Sequence, residues 1–86
     1  MNNVTIRYWA AAKAAAGTAQ ESVQADTLAA ALTAALARRE ADSGLGTVLA
    51  RSSFLVDGSA VGARAAQSVP LPEGAMIEVL PPFAGG

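Results

Sequence analysis

Eighty-six residues are enough for one domain, and six Lys+Arg against seven Asp+Glu leave a net charge of −1, without the basic balance of a nucleic-acid binder. The chain has no cysteine and no histidine, which excludes disulfides, a thiolate nucleophile, a histidine triad or general base, and zinc held by either residue. Its residues are 52% hydrophobic but only 5% aromatic because 22 positions are alanine, an excess that reads as the filling of tolerant positions.

The chain opens with strict alternation: Val4, Ile6 and Tyr8 point one way, Thr5, Arg7 and Trp9 the other. This pattern predicts a strand over Val4 to Trp9 with one buried face. Trp9 either closes the strand by folding over its edge into the core or stays outside as an aromatic anchor. Ala10 to Ala16 is a run of the best helix former, with Gly17 placed as its left-handed terminator. Thr18 to Ala25 is a weakly alternating strand candidate. Asp26 or Thr27 then caps the main helix, in which Leu28, Leu32 and Leu36 recur every four residues beside Ala29, Ala31 and Ala35. Arg38 and Arg39 follow at the end where the helix dipole favours cations.

Glu40 to Leu49 is polar and contains glycine, which predicts a loop with room for one more helical turn. Phe54-Leu55-Val56 is a strand running into an Asp57-Gly58 turn, with Ser59 to Val61 as the short return strand. Gly62 to Ser68 reads as an irregular excursion, and Pro70, Pro72 and Gly74 bracket a turn. Met76 to Leu80 forms the last strand, with Ile77 and Val79 on one face and Met76, Glu78 and Leu80 on the other. Pro81-Pro82 then ends regular hydrogen bonding, since neither residue can donate.

This order predicts an α+β fold with one main helix on a mixed sheet, the first and last strands near the sheet's middle. One helical layer leaves the opposite sheet face uncovered. Trp9 and Leu80 would lie there, two large apolar side chains on an otherwise polar face, which marks a partner surface. Met1 to Arg7 does not read as a signal peptide, and the charge-free stretch Leu28 to Ala37 is too short to span a bilayer. A cytoplasmic domain with no membrane and no nucleic-acid partner is expected.

The last six residues, Pro81-Pro82-Phe83-Ala84-Gly85-Gly86, carry no charged side chain. Two prolines hold the chain extended, and two glycines remove side-chain bulk beside the terminal carboxylate. Such an end suits threading through a narrow channel into another protein's active site. With this tail after an apolar strand, the chain resembles the ubiquitin-like sulfur carriers, most closely the molybdopterin synthase small-subunit family. The resemblance runs from Val4 to Trp9 through Gly17, Leu28/Leu32/Leu36, Phe54 to Gly58, Pro72-Glu73-Gly74 and Ile77 to Leu80 to the tail. The segment Gly62 to Val69 looks a few residues longer than in shorter members.

The resemblance implies a β-grasp (ubiquitin-like) domain over residues 1–80 and an extended, flexible Gly-Gly tail over 81–86. It implies that Gly86 is adenylated by an ATP-dependent enzyme similar to the ubiquitin-activating enzymes, and then thiocarboxylated. Pro82, Phe83, Ala84 and Gly85 would enter the large catalytic subunit of a heterotetrameric molybdopterin synthase, where the sulfur is given to the pterin precursor of the molybdenum cofactor. Trp9, Ala60 and Leu80 fall where the family places apolar partner contacts, although Ala60 is smaller than the residue usual there. The chain would bind no metal and no cofactor itself and would catalyse nothing alone. Two other readings stand beside it: a sulfur carrier for thiamine, cysteine or tungsten-pterin synthesis, with the same tail chemistry and a different partner, and, from a different class, a ubiquitin-like modifier that joins Gly86 to lysines.

Overall fold

A computed structural model describes residues 1–82 of the chain. Its elements are β1 (Asn2–Tyr8), α1 (Ala10–Ala16), β2 (Gln20–Ala25), α2 (Leu28–Ala37), α3 (Leu45–Arg51), β3 (Ser53–Val56), β4 (Ser59–Ala60) and β5 (Met76–Leu80). Single 3₁₀ turns lie at Ala41–Ser43 and Ala66–Ser68. The strands form one mixed sheet in the order β2-β1-β5-β3-β4. Only the β1–β5 pair is parallel; β1–β2, β3–β5 and β3–β4 are antiparallel. The first and last strands therefore do lie side by side within the sheet, as their clean alternation predicts.

That alternation is what builds the core. Val4, Ile6 and Tyr8 of β1 and Ile77 and Val79 of β5 are buried beneath the helices, with Val23 of β2, Leu28 of α2 and Leu45 of α3. Phe54 and Val56 of β3 pack against the same cluster. The Asp57-Gly58 turn forms as expected: both residues take left-handed backbone, at φ 50° and 83°, and the hairpin pairs Val56 with Ser59. A β-grasp arrangement results, with the sheet wrapped on one principal helix.

Several local expectations are corrected. The first strand starts at Asn2 and ends at Tyr8, one residue before Trp9. Trp9 keeps extended backbone but caps α1, and Ala10 then turns the chain with φ 48°, a left-handed value uncommon for alanine. The second strand begins at Gln20 rather than Thr18. Thr27, not Asp26, caps α2, its hydroxyl accepting from Ala30 N–H at 3.2 Å; Asp26 instead accepts from Asn2 N–H. The return strand is shorter than Ser59 to Val61, because Val61 turns inward and is buried.

The leucine stripe is also out of phase. The buried residues of α2 are Leu28, Ala31 and Ala35, while Leu36 is 39% exposed. A step of four residues advances about 400° around the helix, so a line of leucines at that spacing drifts by about 40° per step. The alanines close on the sheet instead, and Leu32 packs half-buried at the margin.

The segment Glu40 to Leu49 holds more helix than a loop with one further turn. After the 3₁₀ turn, Gly44 takes φ 85° and starts α3, which buries Leu45 and Leu49. Its seven residues include Gly46 and Thr47, poor helix formers that hide the apolar spacing Leu45, Val48, Leu49. Gly62 to Ser68 is irregular apart from its 3₁₀ turn.

A candidate functional site where the last strand ends

Because β1 and β5 are parallel and paired Tyr8 with Val79, they finish at the same end of the sheet. The chain beyond Leu80 leaves beside the first turn of α1. Trp9 N–H donates to the Val79 carbonyl at 3.3 Å and fixes this junction. Pro81 is half-buried and Pro82 exposed.

Trp9 does not fold into the core. It is 43% exposed, and its indole N–H donates to Glu78 at 3.2 Å. The Arg7 guanidinium stands 5.7 Å from the ring centroid, a cation over an aromatic face. Arg7 and Glu78 are opposite one another across β1 and β5. The indole therefore lies back over the sheet face turned away from the core.

Pairing then orders the rest of that face. Glu78 is opposite Leu55, and Leu55 is opposite Ala60, so one row runs Arg7, Glu78, Leu55, Ala60. Leu80 is opposite Ser53 at the end where Trp9 sits. Thr5 and Met76 form the parallel row on the other side of Glu78. Trp9 and Leu80 are thus brought to the exit of the last strand. Ala60 is exposed on the same face but lies at the far edge, with β5 and β3 between it and Trp9. Phe83, Ala84, Gly85 and Gly86 lie outside the described residues.

Sequence reasoning put Arg7 and Glu78 on this face but missed Leu55 as a member of it. Leu55 sits between two apolar neighbours, so its period carries no sign of side; only its pairing with Glu78 puts it outside. What alternation did not show for Arg7 and Glu78 is that both engage the Trp9 indole.

A second polar cluster lies at the margin of the covered face. Glu21 of β2 accepts from the Tyr8 hydroxyl, and pairs with Arg39 at 2.8 Å and Arg38 at 3.1 Å. Arg39 also donates to the carbonyls of Ala16, at 3.1 Å, and Ala35, at 2.7 Å, and its guanidinium stands 5.6 Å from the Tyr8 ring centroid. Burial pushes the Glu21 carboxyl up, but hydrogen bonds from Arg39, Tyr8 and Arg38 outweigh it and hold the group below its ordinary value. The Tyr8 hydroxyl is pushed well above its ordinary range by burial and by the bond to Glu21. Every atom here is used to tie α1, α2, β1 and β2 together. The cluster is structural. Among the described residues no three acidic, histidine or cysteine side chains are placed to hold a metal ion, and no helix is long and apolar enough to cross a membrane.

A family model described as the ThiS family matches residues 6–86. The chain belongs to the ThiS family. It is thereby one of the ubiquitin-like sulfur carriers that its tail and strand pattern resemble. No curated protein sequence matches this ThiS-family chain.

Solved structures carry the same fold. The solution structure of small archaeal modifier protein 1 from Methanosarcina acetivorans superposes with a TM-score of 0.82 at 19% identity, covering 100% of this chain and 98% of that one. Subunits 1 and 2 of the molybdopterin-converting factor from Helicobacter pylori 26695 were solved as a protein–protein complex. The match in that complex has a TM-score of 0.68 at 25% identity, covering 98% and 99% of the two chains. CysO of Mycobacterium tuberculosis, described as an antigen, matches with a TM-score of 0.74 at 16% identity over 93% and 99%. The mixed sheet and principal helix of this ThiS-family chain are the β-grasp fold.

Proposed function

We propose that this chain is the sulfur carrier subunit of a molybdopterin synthase. Residues 1–80 serve as the folded body and residues 81–86 as the segment that enters the partner. The observation that supports this reading is the strand exit: the chain leaves β5 through Pro81 and Pro82 beside Trp9 and Leu80, on a sheet face that no helix covers among the described residues, and the sequence that follows, Phe-Ala-Gly-Gly, carries no charged side chain. The Helicobacter pylori complex of converting-factor subunits 1 and 2 supports a second subunit as the partner, which this reading takes to be the large catalytic one.

The chemistry follows from the terminal carboxylate of Gly86, which is a poor electrophile. Its oxygen attacks the α-phosphorus of ATP in an adenylyltransferase, pyrophosphate leaves, and a mixed anhydride with AMP forms. A sulfur nucleophile then attacks the carbonyl carbon and AMP departs, leaving a thiocarboxylate. Pro82, Phe83, Ala84 and Gly85 insert into the large subunit and deliver that sulfur to the pterin precursor. Trp9 and Leu80, with Ala60 at the rim, hold the folded body against the partner. The carrier binds no cofactor, has no turnover of its own, and acts in the cytoplasm.

The likeness to a small archaeal modifier protein favours one second reading, in which Gly86 is joined to lysines of other proteins. Intact-mass spectrometry after incubation with ATP, an adenylyltransferase and a sulfur source separates the two. The sulfur-carrier reading expects a thiocarboxylate on the free chain, lost when Gly86 is deleted or one residue is appended. Wild-type sulfur loading of the extended chain overturns the role of Gly86, and lysine conjugates without a thiocarboxylate favour the modifier.

A further inference from the structure

The sheet has two edges, and they are not alike. β4 forms one with two residues, whereas β2 runs the length of Gln20–Ala25 along the other. Short strands, lysines, prolines and bulges are what usually keeps an edge from pairing. Between Gln20 and Gln24 the sequence Gln-Glu-Ser-Val-Gln supplies neither lysine nor proline. Its register with β1 runs without a bulge from Arg7–Gln20 to Asn2–Ala25.

Which backbone groups of β2 face outward follows from β1. Thr5 N–H and Trp9 N–H donate towards β5, to the carbonyls of Ala75 and Val79 at 2.9 and 3.3 Å. Tyr8 N–H donates the other way, to the Ala19 carbonyl at 2.8 Å. The even residues of β1 therefore bond β2, and their partners Glu21, Val23 and Ala25 turn their N–H and C=O groups inward. Gln20, Ser22 and Gln24 turn theirs to the open side. Among the described residues only the Gln20 carbonyl has a partner there, the Thr18 hydroxyl at 3.0 Å.

Side chains do not shield these groups. The Gln20 side chain accepts from Arg7 at 3.4 Å and the Gln24 amide donates to Asn3 at 3.3 Å, so both lie back over β1. Ser22 is short and exposed. On the covered side Arg38, just past α2, reaches Glu21. Ala34 and Ala30 stand about one and two helical turns before Arg38 on the same flank. Above the edge that flank of the helix therefore carries methyl groups, with no bulk to block an incoming strand.

The edge is also complementary to itself. Turned about a two-fold axis at Ser22, an antiparallel second copy sets Ser22 opposite Ser22 and Gln20 opposite Gln24. Each pair then exchanges N–H and C=O groups that face solvent in the single chain. Glu21 comes opposite Val23, and its carboxylate is already paired with Arg38 and Arg39 at 3.1 and 2.8 Å. No like charges are opposed along the pairing.

We propose that the β2 edge is a homodimer interface, at which a second copy adds its own β2 antiparallel about Ser22 and joins the two sheets into one. The axis is perpendicular to the sheet, so both outer faces point the same way. β1 separates the edge from β5, and the exit at Pro81 stays open in each copy. So short an edge buries less than the ~1,200 Å² of a stable interface, and the pair is weak and reversible. It does not depend on any chemistry of Gly86.

The axis gives a test that other contacts would not pass. Sedimentation of the full chain from micromolar to millimolar concentration is expected to show a monomer–dimer equilibrium. Ser22→Lys and Ser22→Glu each place like charges against themselves and should weaken association at least about tenfold. An equal mixture of the two variants should restore it as a heterodimer. In the wild type, hydrogen exchange at the Ser22 and Gln24 amides should slow as concentration rises, while the inward amides of Glu21 and Val23 stay as they were. A wild-type chain that remains monomeric at millimolar concentration overturns the proposal. So does a dimer indifferent to both charges, or one in which the mixture is no tighter than either variant. The exchange measurement uses no variant, so a substitution that disturbs folding leaves it decisive.

Discussion

On the covered face of the sheet Ile6, Ile77 and Val79 are fully buried, while on the opposite face the same two strands leave Arg7, Glu78 and Leu80 partly in solvent. The difference is one residue of register along each strand. It shows how the fold separates its two tasks: stability is concentrated under the helices, and the outer face is left free to be spent on contact. Apolar area on the outer face, at Leu55, Met76, Leu80 and Trp9, contributes little to folding because no helix packs over it among the described residues. The comparison predicts that equal truncations on the two faces have unequal effects.

The largest effect is expected from Ile77→Ala. Removing this fully buried side chain from the central strand should cost about 4 kcal/mol through lost transfer energy and the cavity left behind. Leu55→Ala, on the neighbouring strand but the outer face, should cost about 1 kcal/mol or less. Chemical unfolding of both variants measures the contrast. Equal losses would mean that the outer face is part of the core.

Next comes the charged staple at the edge of the covered face. Glu21→Gln removes the acceptor for two arginines and should cost about 2–3 kcal/mol at neutral pH. The sign with pH follows from the carboxyl being held below its ordinary value of 4.5. In acid the unfolded chain binds the proton first, so the contribution is complete above pH 4.5 and is lost as pH falls through the lowered folded value. Wild type should therefore lose stability on acidification more steeply than Glu21→Gln. Parallel slopes in unfolding curves taken across that range would show that the pairs are not formed.

The outer face is tested through its partner. Trp9→Ala and Leu80→Ala should each change folding stability by roughly 1 kcal/mol or less, yet weaken binding to the large synthase subunit by about 2 kcal/mol, Trp9 more than Leu80. Calorimetric affinity and unfolding on the same variants decide it. A Trp9→Ala chain that unfolds while its folded fraction binds normally would move Trp9 to the structural side of the comparison.

How far these faces could be read from sequence depended on whether a single period was at work. Alternation in β1 and β5 placed Ile6, Tyr8, Ile77 and Val79 inside because a half-buried strand writes its pattern in steps of two. Leu55 carried no such mark between Phe54 and Val56, and needed its strand partner to be assigned. Trp9 was left open because it follows the last residue of β1, where alternation stops deciding direction; its bond to Glu78 resolves it. In α2 the stripe held at Leu28 and at the small residues Ala31 and Ala35, which allow close approach to the sheet, and failed at Leu36, which the drift of the four-residue spacing carries out to 39% exposure. The tail motif was legible as chemistry without any structure, whereas the identity of the partner is not encoded in these residues at all.

The covering layer has one weak seam, and it sharpens the comparison with the smallest effect. Leu36 of α2 is 39% exposed and faces Gly46 in the first turn of α3, where an added Cβ would meet its Cδ2 atom at 3.8 Å. That is an ordinary contact, and Gly46 does not need left-handed backbone. Gly46→Ala should therefore stabilise the chain by about 0.5 kcal/mol, by restricting the unfolded state and by covering more of Leu36. Gly44→Ala, two residues earlier, has open space for the same methyl but sits at φ 85°. It should destabilise by about 1 kcal/mol. The pair separates backbone conformation from packing, since the glycine with more room is the one that should not tolerate the change. Thermal unfolding with opposite shifts for the two variants is the expected result. Shifts of the same sign would mean that α3 does not start at Gly44 in solution, and that the covering layer is thinner at this seam than the sheet beneath it requires.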